Sequence, residues 1–426
     1  MNSFVIAQRA AHAPSRAFTP GSHVIRLSRI IVLLAIVSVF PANASAQTRW
    51  TWKTENVDSA AHFTALAIDK SGNVHVAYAG GPGSELKYAF RQQDTGRWSN
   101  LSLESQLGSF AVNIALDPSG KPQICYTPRS LKIATWDGKK WLTQEVDPGH
   151  GTVEYNCSIT FSPDGTPYLV WYQTRGPGGA NFLHIKCAVK RDGIWYAKTI
   201  DFDRESGKWN SIVIDSQGIP HVGYSAFPPG DLKYASSVDS RDWKVSEVDW
   251  PHHGSTKDST GMGVSLNLDP GDHPVMSFYE ASMNADAAGS SEGVLKLARL
   301  EEGKWKIESV TPVLKNIGWT EFTSDLVFDR EGHSHIRYED GGAVKHAYWD
   351  GQKWQLQLVV PPGGEAALYS SMKIGPDNTI YISYRDPVDG SLKVAVGTAG
   401  SETSPKPAPA GQNHAAFIRK LEGISK

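Results

Sequence analysis

Cysteine is scarce in this chain: three residues in 426, at Cys125, Cys157 and Cys187. No CxxC occurs, so no zinc or thiol-redox motif is written, and the sequence names no metal ligand set and no cofactor. Net charge is nearly absent as well, at −2. A mildly acidic surface argues against nonspecific binding to nucleic acid or an anionic membrane. Helical periodicity is rare. Most apolar stretches are short and bounded by Gly, Pro, Asp or Ser, and with 40 Gly and 25 Pro this favours an all-β chain.

The one long apolar run, IIVLLAIVSVF at residues 30–40, follows Arg9, Arg16, Arg26 and Arg29 and precedes Ala44-Ser45-Ala46. Basic, apolar and small-x-small segments in that order predict a signal peptide over residues 1–46, in a run too short to span a bilayer comfortably. Cleavage removes four Arg and no acid, so the mature charge is −6, from 38 basic against 44 acidic residues. The expected product is a secreted or periplasmic monomer. Export permits one disulfide and one free thiol; three buried strand cysteines fit the sequence equally.

What is abundant is repetition. An aliphatic residue, Lys, any residue and Ala recur in SELKYAF, SLKIAT, HIKCAV, DLKYAS, VLKLAR, AVKHAY and SLKVAV, with Lys at 87, 132, 186, 233, 296, 345 and 393. Before each Lys lie a strand that usually ends in Asp-x-x-Gly and a second strand such as VHVAYA. After it, a fourth strand opens on Trp with an aliphatic residue five positions on, as in Trp98/Leu103. Four short strands in roughly 45 residues describe a β-propeller blade. The seventh unit stops after its third strand, and WTWKTENVD at the N-terminus supplies the missing Trp strand through Trp52 and Val57. The sequence therefore predicts an all-β, seven-bladed propeller of four-stranded antiparallel blades over residues 47–400, closed by its N-terminal strand. A Pro-rich linker and tail occupy residues 401–426. Seven copies make the Lys architectural, with its stem on apolar surface and its ammonium in water. His75, His221 and His335 share one repeat position and read as shared packing.

Function belongs where the units differ. The Asp-x-x-Gly turns and the links before each Trp are uniform and share one face. The links on the other face vary, over residues 173–184, 201–210, 249–264, 280–294 and 315–323. Binding groups are commonly carried by loops on a rigid scaffold. Near these links stand Tyr155, Trp209, Trp319 and Tyr369, then Arg175, Glu280, Arg337, Glu339, Asp340, Arg385 and Asp386, with His184 and Glu321. Aromatic faces stack on sugar rings, and charged groups bond hydroxyls or a sugar carboxylate. The candidate ligand-binding residues are therefore Tyr155, His184, Trp209, Tyr279, Glu280, Trp319, Glu321, Arg337, Glu339 and Arg385, and no catalytic residue is assigned.

Units such as SIVIDSQGIPHVGYS and DLKYAS resemble exported bacterial propellers of the broad sialidase-like group, which includes polysaccharide lyases of the ulvan lyase type. The resemblance covers residues 47–400 and rests on architectural motifs. Departures limit it. No Asp-box is written, and an arginine triad from Arg175, Arg337 and Arg385 is an easy coincidence. A lyase needs a base, an acid and a cation at a uronate carboxylate; His184 or His253, Tyr224 or Tyr279, and Arg337 match by type. A hydrolase needs two facing carboxylates, available among Glu280, Glu321 and Glu339. The expected function is carbohydrate or similar ligand binding on the variable face. The alternatives are β-elimination on a uronate-containing glycan and a noncatalytic platform for a protein partner.

Overall fold

A strand with apolar residues on both faces needs a packing partner on each side of its sheet. Val74–Gly80 is of this kind, buried at every position. The requirement is met by sheets standing face to face around an axis. The computed structural model describes residues 48–401, apart from 82–83, 109, 148–152, 176–180, 204, 228–229, 250–257, 283–290, 318–321 and 364–369. The expected signal peptide and the tail lie outside these residues. Among the described residues no helix occurs, and the strands form seven antiparallel sheets, each paired in the order first-second-third-fourth. The inner strands neighbour one another in a closed ring. This is a seven-bladed β-propeller. Blades one to six span residues 64–104, 112–145, 153–199, 205–249, 258–309 and 324–360.

Blade seven is completed as the repeat predicts. Thr48–Asp58 pairs antiparallel with Leu392–Ser401, from Thr48 opposite Ser401 to Asp58 opposite Leu392. Gly397 sits opposite Trp52, and a Cβ there would stand 2.6 Å from the indole ring, so only glycine lets the ring lie flat across the strand.

The core is divided into seven seams, one between each pair of neighbouring blades. Each fourth-strand Trp turns to the preceding blade. Trp141 meets Tyr88 with ring centroids 5.0 Å apart, and Trp305 meets Tyr234 at 5.2 Å. At the axis, inner strands are stitched by a serine belt. Ser211 Oγ accepts from the Leu266 N–H (3.0 Å), Ser265 Oγ from Leu326 (3.1 Å), Asp325 Oδ2 from Met372 (2.9 Å) and Ser371 Oγ from Leu66 (3.4 Å). The last of these bonds closes the ring. Such bonds satisfy edge N–H groups that a lone sheet would leave open.

The repeated Lys is architectural, and its ammonium is held by a carboxylate instead of standing free in water. Lys87 pairs with Asp58, Lys132 with Glu104 (2.6 Å), Lys186 with Asp147, and Lys233 with Asp201 (3.1 Å) and Asp203 (2.9 Å). Asp58, Glu104, Asp147 and Asp201 end the fourth strand of the preceding blade or follow it within two residues, and Asp249 occupies the same place 4.0 Å from Lys296. In those five blades an acid follows the aliphatic residue that stands five after Trp. Blades five and six write Thr311 and Val360 there, and Lys345 and Lys393 turn to Asp340 and Asp386 of their own blades. A second-strand Tyr joins the clasp, with Tyr78 donating to Asp58 (2.6 Å), Tyr126 to Glu104 (2.5 Å) and Tyr224 to Asp201 (2.7 Å). Removing the cation from a buried clasp leaves a buried carboxylate with too few donors. Lys233→Met, at a side chain 5% exposed, is expected to cost about 3 kcal/mol in urea unfolding. Lys132→Met, at 29% exposure, is expected to cost less than about 1 kcal/mol.

The cysteine alternatives resolve in favour of one disulfide. Cys125 and Cys157 are bonded across the seam of blades two and three, and Cys187 is a buried free thiol in the seam of blades three and four. The bridge has a repeat-related counterpart elsewhere. The residue before a second-strand aromatic of one blade (Tyr126, Phe278 or Tyr384) meets the residue of the next inner strand that lies one place before the serine belt. At other seams this pair is Ser277–Ser324 (2.7 Å between hydroxyls) and Ser383–Thr64 (2.8 Å).

Candidate functional site

The variable face carries its extra length partly in strands. The expected link at 201–210 enters the inner strand of blade four, Glu205–Ile214, whose register shifts between Ser206 and Asn210. The expected link at 315–323 overlaps a fifth strand of blade five, Leu314–Ile317. The bulge in blade four depends on Gly207, at φ 108°, where a Cβ would approach the Ile185 side chain to 2.6 Å. That close approach brings the blade-four entry against the third strand of blade three, Asn181–Arg191.

A cluster forms there. Phe202 is 71% exposed, and its ring lies 5.6 Å from that of His184 in an edge-on arrangement. Asp203 presents a half-exposed carboxylate on Lys233, whose pKa rises because bonds to Asp203 and Asp201 outweigh the opposing effect of burial. Lys208 extends over the Trp209 ring at 5.3 Å, and burial lowers its pKa. The seam of blades three and four thus offers an exposed apolar ring and a carboxylate, whereas Lys208 goes with Trp209 toward blade five. Phe202 stands in DFDRE of a variable link, and no spacing in the sequence distinguishes it from an ordinary loop Phe.

The other expected residues divide. The side chains of Tyr155, Trp319, Glu321, Arg175, His253 and Tyr369 lie outside the described residues. Tyr279 is fully buried against Phe322, accepts the Glu339 backbone N–H (2.9 Å) and donates to the Glu339 carbonyl (3.0 Å). Arg337 is 2% exposed and spent on Asp325 (3.0 Å) and the Thr323 carbonyl and hydroxyl (3.1 and 2.8 Å). Glu339 is 1% exposed, and Trp209 is half-buried against the cores on either side of blade five. Glu280 is half-buried on Lys296, and Arg385 is half-buried at its strand end. Tyr279, Arg337 and Glu339 thus stand in seams, because their second-strand side chains turn toward the next blade instead of out of the face.

The repeated histidines also stand in seams. His75 bonds Tyr88 (2.6 Å); His221 bonds Tyr234 and Asp215; His335 bonds His346 and Asp329. Asp329, Glu331 and His333 come together on one turn, but Asp329 is bonded to His333 and His335, and Glu331 to Asn378. In this structure the three groups are taken up by turn contacts. A cavity of about 570 Å³ opens among the inner-strand ends of blades one to four and Asp272 of blade five, on the uniform face. Three of its carboxylates, Asp69, Asp117 and Asp215, are occupied by N–H groups of their own turns, and Asp272 accepts from Ser216.

No protein-family model matches the chain, and no curated protein matches it. Solved structures do. The chain is similar to the polysaccharide lyase Uly1, with a TM-score of 0.52, 12% identity, and coverage of 80% of this chain and 90% of that one. It is similar to the hydrazine synthase of Kuenenia stuttgartiensis, with a TM-score of 0.53, 12% identity, and coverage of 79% and 96%. At such identities the likeness is one of fold.

Proposed function

We propose that this chain is an exported propeller that binds a carbohydrate on its variable face, at the seam of blades three and four. The observation that carries the reading is the 71% exposed Phe202 ring set beside His184. An exposed aromatic face supplies stacking surface for a sugar ring, and the neighbouring Asp203 supplies a polar contact. A polysaccharide lyase built on the same fold is compatible with this reading. The disulfide supports export, since such bonds persist in oxidising compartments. Residues 1–46 are the proposed leader.

β-Elimination has less support. Burial, then the Asp201 carboxylate, drives the Tyr224 pKa far above the ordinary phenol value, and burial does the same for Tyr279. Arg337 is already neutralised by Asp325. Binding without turnover is therefore favoured.

The test is a glycan array followed by titration calorimetry on the best ligand. Phe202→Ala is expected to weaken binding by about 1 kcal/mol, roughly fivefold. Lys139→Ala and Lys353→Ala, on the uniform face, are expected to leave binding unchanged. Equal losses in the controls, or full binding by Phe202→Ala, overturn the assignment. Absence of binding to any glycan points to a protein partner.

A further inference from the structure

In blades one, four and six a second-strand histidine lies between the Asp of its own turn and the third-strand residue after the Lys. In blades one and four that residue is Tyr88 or Tyr234. Blade six ends instead on a second base. His335 Nε2 lies 3.4 Å from Asp329 Oδ2, and His335 Nδ1 lies 3.0 Å from His346 Nε2. The two rings stack with centroids 5.2 Å apart and planes 5° from parallel. The bonds assign the protons: His335 Nε2–H donates to Asp329, so neutral His335 accepts at Nδ1 and His346 donates from Nε2. His346 Nδ1 then has no hydrogen-bond partner among the described residues, in a ring that is 0% exposed.

This pair lies beneath the strand that closes the propeller. Trp50 stands edge-on to His335 (5.2 Å) and His346 (5.6 Å), and Trp52 edge-on to His346 (5.4 Å). Gln357, opposite His346 on the fourth strand, donates to the Trp50 carbonyl (2.9 Å). Tyr348 stacks on both histidines, and Tyr384 of blade seven packs in the same cluster. Arg337, opposite His346 on the second strand, is the cation of this face and is bonded to Asp325. Asp329 lies at the outer end of the pair, with His333 on it at 2.9 Å.

We propose that this seam is an acid-labile latch: the His335–His346 pair holds Trp50 and Trp52 of the closing strand while neutral, and releases them when it takes up protons. A proton on His335 Nδ1 makes that atom a donor, so His346 must accept at Nε2 and carry its own hydrogen at Nδ1, where no acceptor waits. A second proton places two cations in a buried stack beside Arg337. Burial, and then His335, hold the His346 pKa well below its ordinary value. A histidine depressed in the folded state stabilises it fully above the unfolded value of about 6.5 and withdraws that stability as pH falls below it. The proton withheld from His346 lowers the folding equilibrium constant by up to about tenfold per pH unit in that window.

The experiment measures unfolding of the full chain from pH 7.5 to 5.0 for the wild type, His346→Tyr, as in blades one and four, and His346→Leu, as in blade five. The wild type is expected to lose up to about tenfold more of its folding constant per pH unit than either variant. A second measurement needs the wild type alone. Hydrogen exchange at pH 5.0 and 7.5, corrected for intrinsic rates, is expected to show protection lost first in residues 48–58 and 354–360. Parallel pH profiles in all three proteins overturn the proposal, as does loss of protection spread evenly over the seven seams.

Discussion

A chain lacking residues 48–58 is expected to melt roughly 10 °C or more below the parent, or to associate through the edge it exposes. The closing strand serves two seams. Trp50 and Trp52 pack against blade six, and Val57 packs between blades seven and one. Burial of these three side chains alone contributes upward of about 5 kcal/mol. The strand also carries the acids of blade one: Asp58 holds Lys87 and Tyr78, and Glu55 bonds Arg91 (2.8 Å) and Trp98 (3.0 Å). Its removal bares the Leu392–Ser401 edge, a template for another chain. Calorimetry with size-exclusion chromatography reads both effects. A monomer with an unchanged midpoint would show that the ring closes without this strand.

The second large effect concerns the disulfide. Cys125→Ser combined with Cys157→Ser is expected to lower the unfolding free energy by about 4 kcal/mol while the propeller still forms. The bridge closes a loop of sequence separation 32, and cross-linking a loop of that size removes about this much unfolded-chain entropy. Serine is a fitting replacement, because Ser277–Ser324 makes the corresponding contact at another seam with both hydroxyls satisfied. Loss of the bridge therefore need not leave a buried group unpaired. Denaturant titration with and without reductant separates the effects: reductant is expected to destabilise the parent and leave the double variant unmoved. Equal unfolding free energies in parent and variant would show that the bridge is not formed or constrains little.

The blade count was legible because it is written in local periodicity. Asp-x-x-Gly fixes a turn whose carboxylate caps its own N–H groups, as Asp69 does for Ser71 and Asn73, and those bonds need no distant residue. The ring closure was legible for a related reason: Trp52 and Val57 repeat a spacing present in six other units. For five of the seven repeated Lys an acid was also written, six residues after the Trp of the preceding unit. These acids emerge as partners only when one blade is read against its neighbour. The same holds for the cysteines, since Cys125 and Cys157 look unrelated until the two repeats are superimposed on Ser277 and Ser324.

The candidate site was far less legible. Arg337, Glu339 and Tyr279 stand near the ends of second strands by sequence, and so were placed at the ligand face. Packing turned them into seams, where Arg337 meets Asp325 and Tyr279 meets the Glu339 backbone. Phe202 went the other way, exposed beside His184 by the bulge at Gly207. Residue type and spacing along the chain determined the strands, their number and the closure of the ring, because turns and pleats are set by neighbours in sequence. Which side of a blade each polar group faces, which acid clasps which lysine and which aromatic reaches solvent were decided only in three dimensions. Those outcomes depend on the face of the adjoining sheet, and its residues lie some forty positions away.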